Sequence, residues 1–243
     1  MTKVLIAAPI SGHKQYSINE WFSWIANQEF KNYDFALCVN GENQSKLISK
    51  LRKVEIRDVH GQIKKPRLIW NMPKPNIQTN RHHNIVHARE SLRRLAEKED
   101  YDYILWLDTD TIPIQLNAIQ LLIDSRVDAV SGVYFYKQTS VPVLVSTETK
   151  TNFTLDTLET AAKNNQLLPT EIFGLGCALI SKSVFKRIIF SYSVFGNEIG
   201  DDYGYCYAMN EEGIPRWTNP KVMCKHLGEP MKNPSMDLQT NTE

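Results

Sequence analysis

The sequence predicts a single α/β domain in which helices flank a mainly parallel central sheet. In the first half, uninterrupted apolar runs alternate with segments whose apolar residues recur at helical spacing. The early runs also end in turn signals, such as Pro9 followed by Gly12, or the pair Asn40-Gly41. Strands that are buried on both faces of a parallel sheet have this composition. A length of 243 residues with 42% apolar residues suits one such domain with a large core.

The first half alternates strongly between strand-like and helix-like segments. We expect strands at 3–10, 34–40, 54–59 and 101–107, and helices at 17–28, 43–53 and 84–99. Ser17 is followed three residues later by Glu20, which matches a capping box at the start of the first helix. The prolines and the glycine in residues 60–80 predict a long irregular connection, and such connections are often functional.

The alternation weakens in the second half. Strands are expected at 128–136, 141–146, 171–181 and 221–228, and helices at 116–125, 182–190 and 201–213. We expect the domain to cover 1–228, with a nucleotide-binding half at 1–113, an acceptor half at 114–228 and a flexible tail at 229–243. Ligands of doubly wound sheets bind outside the carboxyl ends of the strands. The loops after residues 10, 40, 107 and 136 should therefore meet at one edge.

Charge and cysteine content narrow the functional class. The formal net charge is +1, so no overall field attracts nucleic acid or a membrane. Residues 46–67 carry eight Lys and Arg against two acids, and a solvated helix face with a following loop explains this better than a polyanion site. Four scattered cysteines without a CxxC pair indicate buried free thiols in a reducing compartment. Without a transmembrane segment of about 18 apolar residues, the protein is expected to be cytoplasmic. The sequence leaves the oligomeric state open.

The segment LWLDTDTIP at 105–113 places two acids directly after an apolar strand. In extended backbone Asp108 and Asp110 point to the same side, so both carboxylates can face one ion. Oxygen ligands of this kind suit Mg²⁺ or Mn²⁺, which often keep substrate phosphates among their other ligands. The alternative is a turn in which one of the two acids caps a helix that starts near residue 115.

The chain resembles the GT-A glycosyltransferases, especially those of the family 2 type. The resemblance covers about 1–228 and rests on an ordered set of segments. These are KVLIAAPI, NIVHARESL, YILWLDTDTIP, GLGCALIS, GDDYGYCYAMNEEGI and CKHLGE. It implies an enzyme that moves a sugar from a nucleotide-diphosphate sugar to an acceptor hydroxyl, with Mn²⁺ or Mg²⁺ as cofactor.

The resemblance also implies a role for each site residue. Asp110 is the direct metal ligand, Asp108 contacts ribose or metal, and His226 is the third ligand. Asp202 is the general base of an inverting reaction, although the sequence leaves a retaining outcome open. Asp201, also a catalytic residue, stands where a Glu is commoner, and its shorter side chain would hold an acceptor hydroxyl differently. Acids in a first helical turn are stabilised by the helix dipole, which we expect to lower the pKa of this base.

Three further residues are expected to bind the donor. Arg89 would face the diphosphate, although a solvated helix face is an alternative. Pro9 would pack against the nucleotide base, and Asn40 stands where a uridine-binding acid is often found. That acid is missing unless Glu42 substitutes, so the donor is a UDP- or GDP-sugar with the base left open. Gly174 and Gly176 would let the sugar approach, or else form a β-bulge.

The acceptor class stays open among a glycan, a lipid-linked sugar, a protein and modified DNA. Two other functions are compatible with the fold. A nucleotidyltransferase also pairs carboxylates on an α/β sheet, but it would need a Gly-rich phosphate loop, and APISGHKQ has one glycine. A non-catalytic sugar- or nucleic-acid-binding module is the second alternative.

Overall fold

The computed structural model describes residues 2–41, 44–70, 81–190 and 200–228. The strands are β1 (Val4–Ile10), β2 (Tyr33–Val39), β3 (Ile56–Arg57), β4 (Ile63–Lys64), β5 (Arg67–Trp70), β6 (Tyr103–Leu107), β7 (Thr111–Pro113), β8 (Ala129–Val133), β9 (Leu144–Ser146), β10 (Leu168–Phe173), β11 (Cys177–Ser181) and β12 (Trp217–His226). The helices are α1 (Ile18–Ala26), α2 (Gln44–Leu51), α3 (Arg81–Lys98), α4 (Ala118–Ile123), α5 (Leu155–Lys163), α6 (Lys182–Phe185) and α7 (Asp201–Glu211).

One large sheet organises the chain, in the order β5-β2-β1-β6-β11-β8-β12-β10-β9, with β7 paired to β12. Strands β5, β2, β1 and β6 are all parallel, as is the pair β8 and β12. The antiparallel pairs of this sheet involve strands of the second half, where β11 enters between β6 and β8. Strands β3 and β4 form a separate antiparallel pair. The predicted α/β domain with a central sheet flanked by helices is confirmed, and its parallel part coincides with the alternating first half of the sequence.

The apolar runs bury both faces of the sheet. Along β1, Leu5 and Ala7 join a cluster with α3, α5 and α7, whereas Val4 and Ile6 join a cluster with α1, α2 and α4. This alternation is the period of a strand, and it explains why β1 is apolar at every position. Burying a side chain such as Leu5 contributes about 1.5–3 kcal/mol to folding.

Two local predictions are corrected. Residues 67–70 were assigned to an irregular connection, but they form the edge strand β5, because Pro66 is tolerated before an edge strand and Leu68 and Ile69 pack against the core. The remaining part of that connection, 71–80, lies outside the described residues. The capping box at Ser17 does not form. A 3₁₀ turn at Gly12–Lys14 runs into α1, and the Ser17 hydroxyl donates to the Lys14 carbonyl instead.

Four further expectations concern the cysteines, membrane spans, domain division and tail. The four cysteines are buried free thiols, as predicted. Within the described ranges, no helix combines the length and apolar character needed to cross a bilayer. The division into two halves at residue 113 stays a prediction. The proposed tail at 229–243 lies outside the described residues.

Candidate active site

A cleft of about 1070 Å³ opens at the carboxyl ends of the parallel strands. Its lining comes from the loops after β1, β2, β6 and β8 and from the starts of α3 and α7, so the predicted meeting of these loops is observed. Six of the eight predicted site residues line it, namely Pro9, Asn40, Arg89, Asp108, Asp201 and Asp202. The other two, Asp110 and His226, face each other, with 3.7 Å between Asp110 Oδ2 and His226 Nε2.

A turn brings the two acids after β6 together. The amide of Thr111 donates to the carbonyl of Asp108 at 2.9 Å, so the chain reverses here instead of staying extended as the sequence argument assumed. Both carboxylates nevertheless face one point, because Lys14 Nζ lies 2.8 Å from Asp110 Oδ1 and 3.5 Å from Asp108 Oδ2. Asp110 is almost fully buried, and Asp108 retains 22% exposure of its side chain.

Two lysines that the sequence analysis did not single out neutralise this pair. Lys137 Nζ lies 2.8 Å from Asp110 Oδ2, opposite the oxygen that Lys14 contacts. Burial alone would raise the pKa of Asp110, but His226, Lys14 and Lys137 outweigh it and hold that pKa well below its ordinary value. The only sequence signal for these lysines was their place after β1 and β8, whose loops were expected at the cleft.

The backbone of β12 fixes His226 beside the acids. Thr111 in β7 pairs with His226, and the amide of Leu227 donates to the Asp110 carbonyl at 2.7 Å. His226 Nδ1 lies 2.7 Å from the carbonyl oxygen of Phe135, which can only accept a hydrogen bond. Nδ1 therefore carries the proton, and the other ring nitrogen, Nε2, faces Asp110.

Arg89 lies at the centre of an acidic cluster. Its Nε donates to Asp201 Oδ2 at 2.5 Å and its Nη2 to Asp108 Oδ1 at 3.2 Å, and Nη2 is 3.7 Å from Asp202 Oδ1. The side chain is 3% exposed, so the alternative of a solvated helix face is wrong. Within the described part of the chain, its Nη1 is buried without a hydrogen-bond partner.

The pKa of Asp202 is unusually high for an acid in the first turn of a helix. The Asp202 side chain is 30% exposed, and its partial burial, followed by the carboxylate of Asp201, raises its pKa to about 8, with Asp108 adding to the shift and Arg89 opposing it. The expectation that the helix dipole lowers this pKa is wrong, because burial and two neighbouring acids outweigh the dipole. A group with such a pKa exchanges protons near neutral pH, which suits acid-base catalysis.

The two glycines before β11 serve packing. A Cβ at Gly174 would lie 2.7 Å from Cζ of Tyr134, and one at Gly176 would lie 2.8 Å from the same atom. The Tyr134 hydroxyl accepts the amide hydrogen of Gly176 at 3.2 Å. The expected approach of a sugar to these glycines is therefore wrong, because the Tyr134 ring fills the space beside them.

Asp108, Asp110 and His226 suit a divalent cation in their chemistry. Two carboxylates that already converge on one cationic group, together with an imidazole nitrogen, are donors that Mn²⁺ accepts. Within the described ranges, however, no three His, Cys, Asp or Glu side chains are already spaced to hold an ion. The donor set therefore suits a divalent cation in its chemistry, and both Asp110 oxygens are in contact with the ammonium groups of Lys14 and Lys137.

This chain is similar to known proteins in its fold. Neither a family model nor a curated protein matches the sequence. Among solved structures, the protein A197 from STIV is 13% identical with a TM-score of 0.54, covering 94% of this chain and 87% of its own.

Two transferase structures share the fold as well. The mannosyltransferase PcManGT from Pyrobaculum calidifontis, solved with GDP-Man and Mn²⁺, is 15% identical with a TM-score of 0.58. GalNAc-T7, solved with UDP, GalNAc and Mn²⁺, is 10% identical with a TM-score of 0.62. Both matches cover 94% of this chain. They cover 58% of the mannosyltransferase chain and 44% of the GalNAc-T7 chain. The chain therefore has a glycosyltransferase-like α/β fold of the GT-A type.

Proposed function

We propose that this chain is a divalent-metal-dependent glycosyltransferase that moves a sugar from a nucleotide-diphosphate sugar to an acceptor hydroxyl with inversion. The observation that carries the proposal is a cleft lined by Asp108 and by the acid pair at the start of α7, with the buried Asp110 sharing Lys14 with Asp108. Arg89 joins the two pairs, since it contacts Asp108 and Asp201 at once. The glycosyltransferase-like fold supports the same conclusion.

The donor is proposed to lie along the ends of β1 and β2. Pro9 and Asn40 line this part of the cleft and would bind the nucleotide base, of uridine or guanosine type. The cationic side chains in the lining, Lys14, Lys137 and Arg89, would bind the diphosphate. Glu42, the possible replacement for a uridine-binding acid, lies outside the described residues.

Asp108, Asp110 and His226 would hold Mn²⁺ or Mg²⁺. Such an ion supplies Lewis-acid stabilisation of the charge that develops on a departing nucleoside diphosphate. The orientation of His226 supports this assignment, because Nδ1 contacts the Phe135 carbonyl and Nε2 points toward Asp110.

Asp202 is proposed to take the proton from the acceptor hydroxyl. Its Oδ1 is buried and has no hydrogen-bond partner in the described part of the chain. Asp201 is held by Arg89 at 2.5 Å, which makes it a positioning residue for the start of α7. The acceptor is a glycan, a lipid-linked sugar, a protein or modified DNA, and the cleft lining does not favour one of them.

A panel of UDP- and GDP-sugars incubated with Mn²⁺ tests the proposal. We expect release of a nucleoside diphosphate from one donor, measured by chromatography, and loss of that release with chelator and in Asp110→Asn. Binding of a sugar without turnover would favour the non-catalytic module. Release of pyrophosphate from a nucleoside triphosphate would favour the nucleotidyltransferase.

A further inference from the structure

Lys14 and Lys137 occupy both oxygens of the buried Asp110 carboxylate. Lys14 Nζ lies 2.8 Å from Oδ1 and Lys137 Nζ lies 2.8 Å from Oδ2. Lys14 also lies 3.5 Å from Asp108 Oδ2, so one ammonium group spans the carboxylate pair. These are the positions from which a divalent cation would have to be bound.

The charges of this cluster are close to balance without any added ion. Four acids meet here, namely Asp108, Asp110, Asp201 and Asp202, and the three cations are Lys14, Lys137 and Arg89. Because the raised pKa of Asp202 keeps it largely protonated at neutral pH, three carboxylates face three cations. A divalent cation added with both lysines in place would leave a local excess of positive charge. Ammonium groups and a metal ion within a few ångströms of each other repel strongly in a partly buried site.

A nucleoside diphosphate removes this conflict. Its phosphates bring the negative charge that the lysines need as a new partner, and both lysines line the cleft. Both lysine side chains are partly exposed. Lys14 belongs to a single 3₁₀ turn and its side chain is 24% exposed, and Lys137 follows β8 with 40% exposure.

We propose that Lys14 and Lys137 form an exchangeable counterion pair, which rests on the proposed function of the site. In the free protein they neutralise Asp108 and Asp110. When a nucleoside diphosphate binds, they move to its phosphates and release the carboxylates to the divalent cation. Cation and nucleotide therefore bind cooperatively, and by linkage each raises the affinity for the other by the same factor.

Tyr16 contacts Lys137 beside Asp110 before the exchange. Its hydroxyl accepts a hydrogen bond from Lys137 Nζ at 2.9 Å, and it lies 3.3 Å from Asp110 Oδ2 and 3.2 Å from the Leu227 carbonyl. This hydroxyl stays beside the carboxylate when the lysine leaves. It therefore still partners one oxygen of Asp110 through the exchange.

Mn²⁺ binding tests the pair without measuring activity. The EPR signal of the free ion reports how much Mn²⁺ is bound. The proteins are the wild type, Lys14→Met, Lys137→Met and the double variant, each alone and with UDP or GDP. In the wild type we expect the nucleotide to raise the affinity for Mn²⁺ by about 5–150-fold. In the double variant, Mn²⁺ alone binds more tightly, the enhancement by nucleotide shrinks, and the nucleotide itself binds more weakly.

Three controls make the result specific. Lys163→Met removes a lysine that is 77% exposed and pairs with Glu159 on the same helix, and it should leave Mn²⁺ binding unchanged. Asp110→Asn in the double-variant background should abolish the added binding, which locates it at this site. Thermal melting of each variant shows whether the chain still folds, and the two single variants provide milder changes if the double variant does not.

Two results would overturn the exchange, and they differ in what they say about the proposed function. Equal Mn²⁺ affinity in the wild type and the variants, with or without nucleotide, leaves the metal site standing and removes the role of the lysines. Absence of Mn²⁺ binding in every protein removes the proposed metal site and the exchange with it.

Discussion

The Nε of Arg89 donates to Asp201 Oδ2 across 2.5 Å and thereby ties α3 to the first turn of α7. The same guanidinium reaches Asp108 at the end of β6. The consecutive elements α3 and β6 are thus linked to the much later α7 by one side chain that is 3% exposed. The positions of the acid pair and of the carboxylate pair relative to each other depend on this contact.

Replacing Arg89 by Met should destabilise the protein strongly. Removing one partner from a buried ion pair leaves uncompensated charges, here on acids of β6 and α7, and costs about 3–5 kcal/mol. Urea unfolding measures the loss. The matched control is Arg94→Met on the same helix, whose side chain is 74% exposed and should cost at most about 1 kcal/mol. Equal losses in both variants would contradict the central role of Arg89.

Much of the first half of the fold could be predicted from the sequence. Long apolar runs such as 3–10 form strands that are buried on both faces of the sheet, and this does not depend on which strands lie beside them. Composition alone therefore identifies these strands. The short strands β5 and β7 could not be predicted in this way. Each has three or four residues and exists because a partner, β2 or β12, offers its edge.

The candidate site was predictable where residues belong to a recognisable motif, either after a strand or at the start of a helix. Asp108, Asp110 and Asp202 meet the cleft or its floor for this reason. Lys14 and Lys137 belong to no motif, and a lone lysine in a loop is ordinarily a solvated charge. Their role depends on side-chain reach across the cleft, which sequence spacing does not encode.

Asp202→Asn should lower turnover and leave donor binding intact. The amide cannot accept the proton of the acceptor hydroxyl, and loss of a positioned base costs about 10²–10⁴-fold in rate. Steady-state kinetics give the turnover, and calorimetry with the nucleotide gives the affinity. Glu211→Gln, at the exposed far end of the same helix, is the control and should change neither. Normal turnover in Asp202→Asn would remove this residue from the base role.

The raised pKa of Asp202 predicts how stability depends on pH. In the unfolded chain an Asp has a pKa of about 3.9, whereas folding raises the pKa of Asp202 to about 8. Between these values the folded state retains a proton that the unfolded chain has lost. The stabilising contribution is therefore complete below about pH 4 and is lost as the pH rises through about 8.

Asp202→Asn removes this dependence. The melting temperature of the variant minus that of the wild type should therefore increase as the pH rises from 5 to 8. Thermal melts of the two proteins at matched ionic strength measure the difference. The charged groups that face Asp202 are Asp201, Asp108 and Arg89, and all three are retained in the variant. A difference that stays constant over this range would show that Asp202 titrates normally.

Gly174→Ala should destabilise the protein through Tyr134. The new methyl group would lie 2.7 Å from Tyr134 Cζ, and overpacking of this kind costs about 1–3 kcal/mol. Combining it with Tyr134→Phe should cost less than the sum of the two single changes, because the hydroxyl is the nearest obstacle. Denaturant unfolding provides the values. Gly228→Ala, where a Cβ would meet open space, serves as the control, and strict additivity of the two changes would refute the clash.

The pairing of β7 with β12 has a consequence for how this chain can vary. Thr111 lies opposite His226 in the ladder, and the next amide, that of Leu227, donates to the carbonyl of Asp110. The separation of Asp110 and His226 is thus set by hydrogen bonds between neighbouring backbones and not by the length of chain between them. Insertions or deletions in the loops between residues 114 and 216 would leave it unchanged. A shift of β12 by one residue would turn His226 to the opposite side of the sheet and dismantle the cluster in a single step.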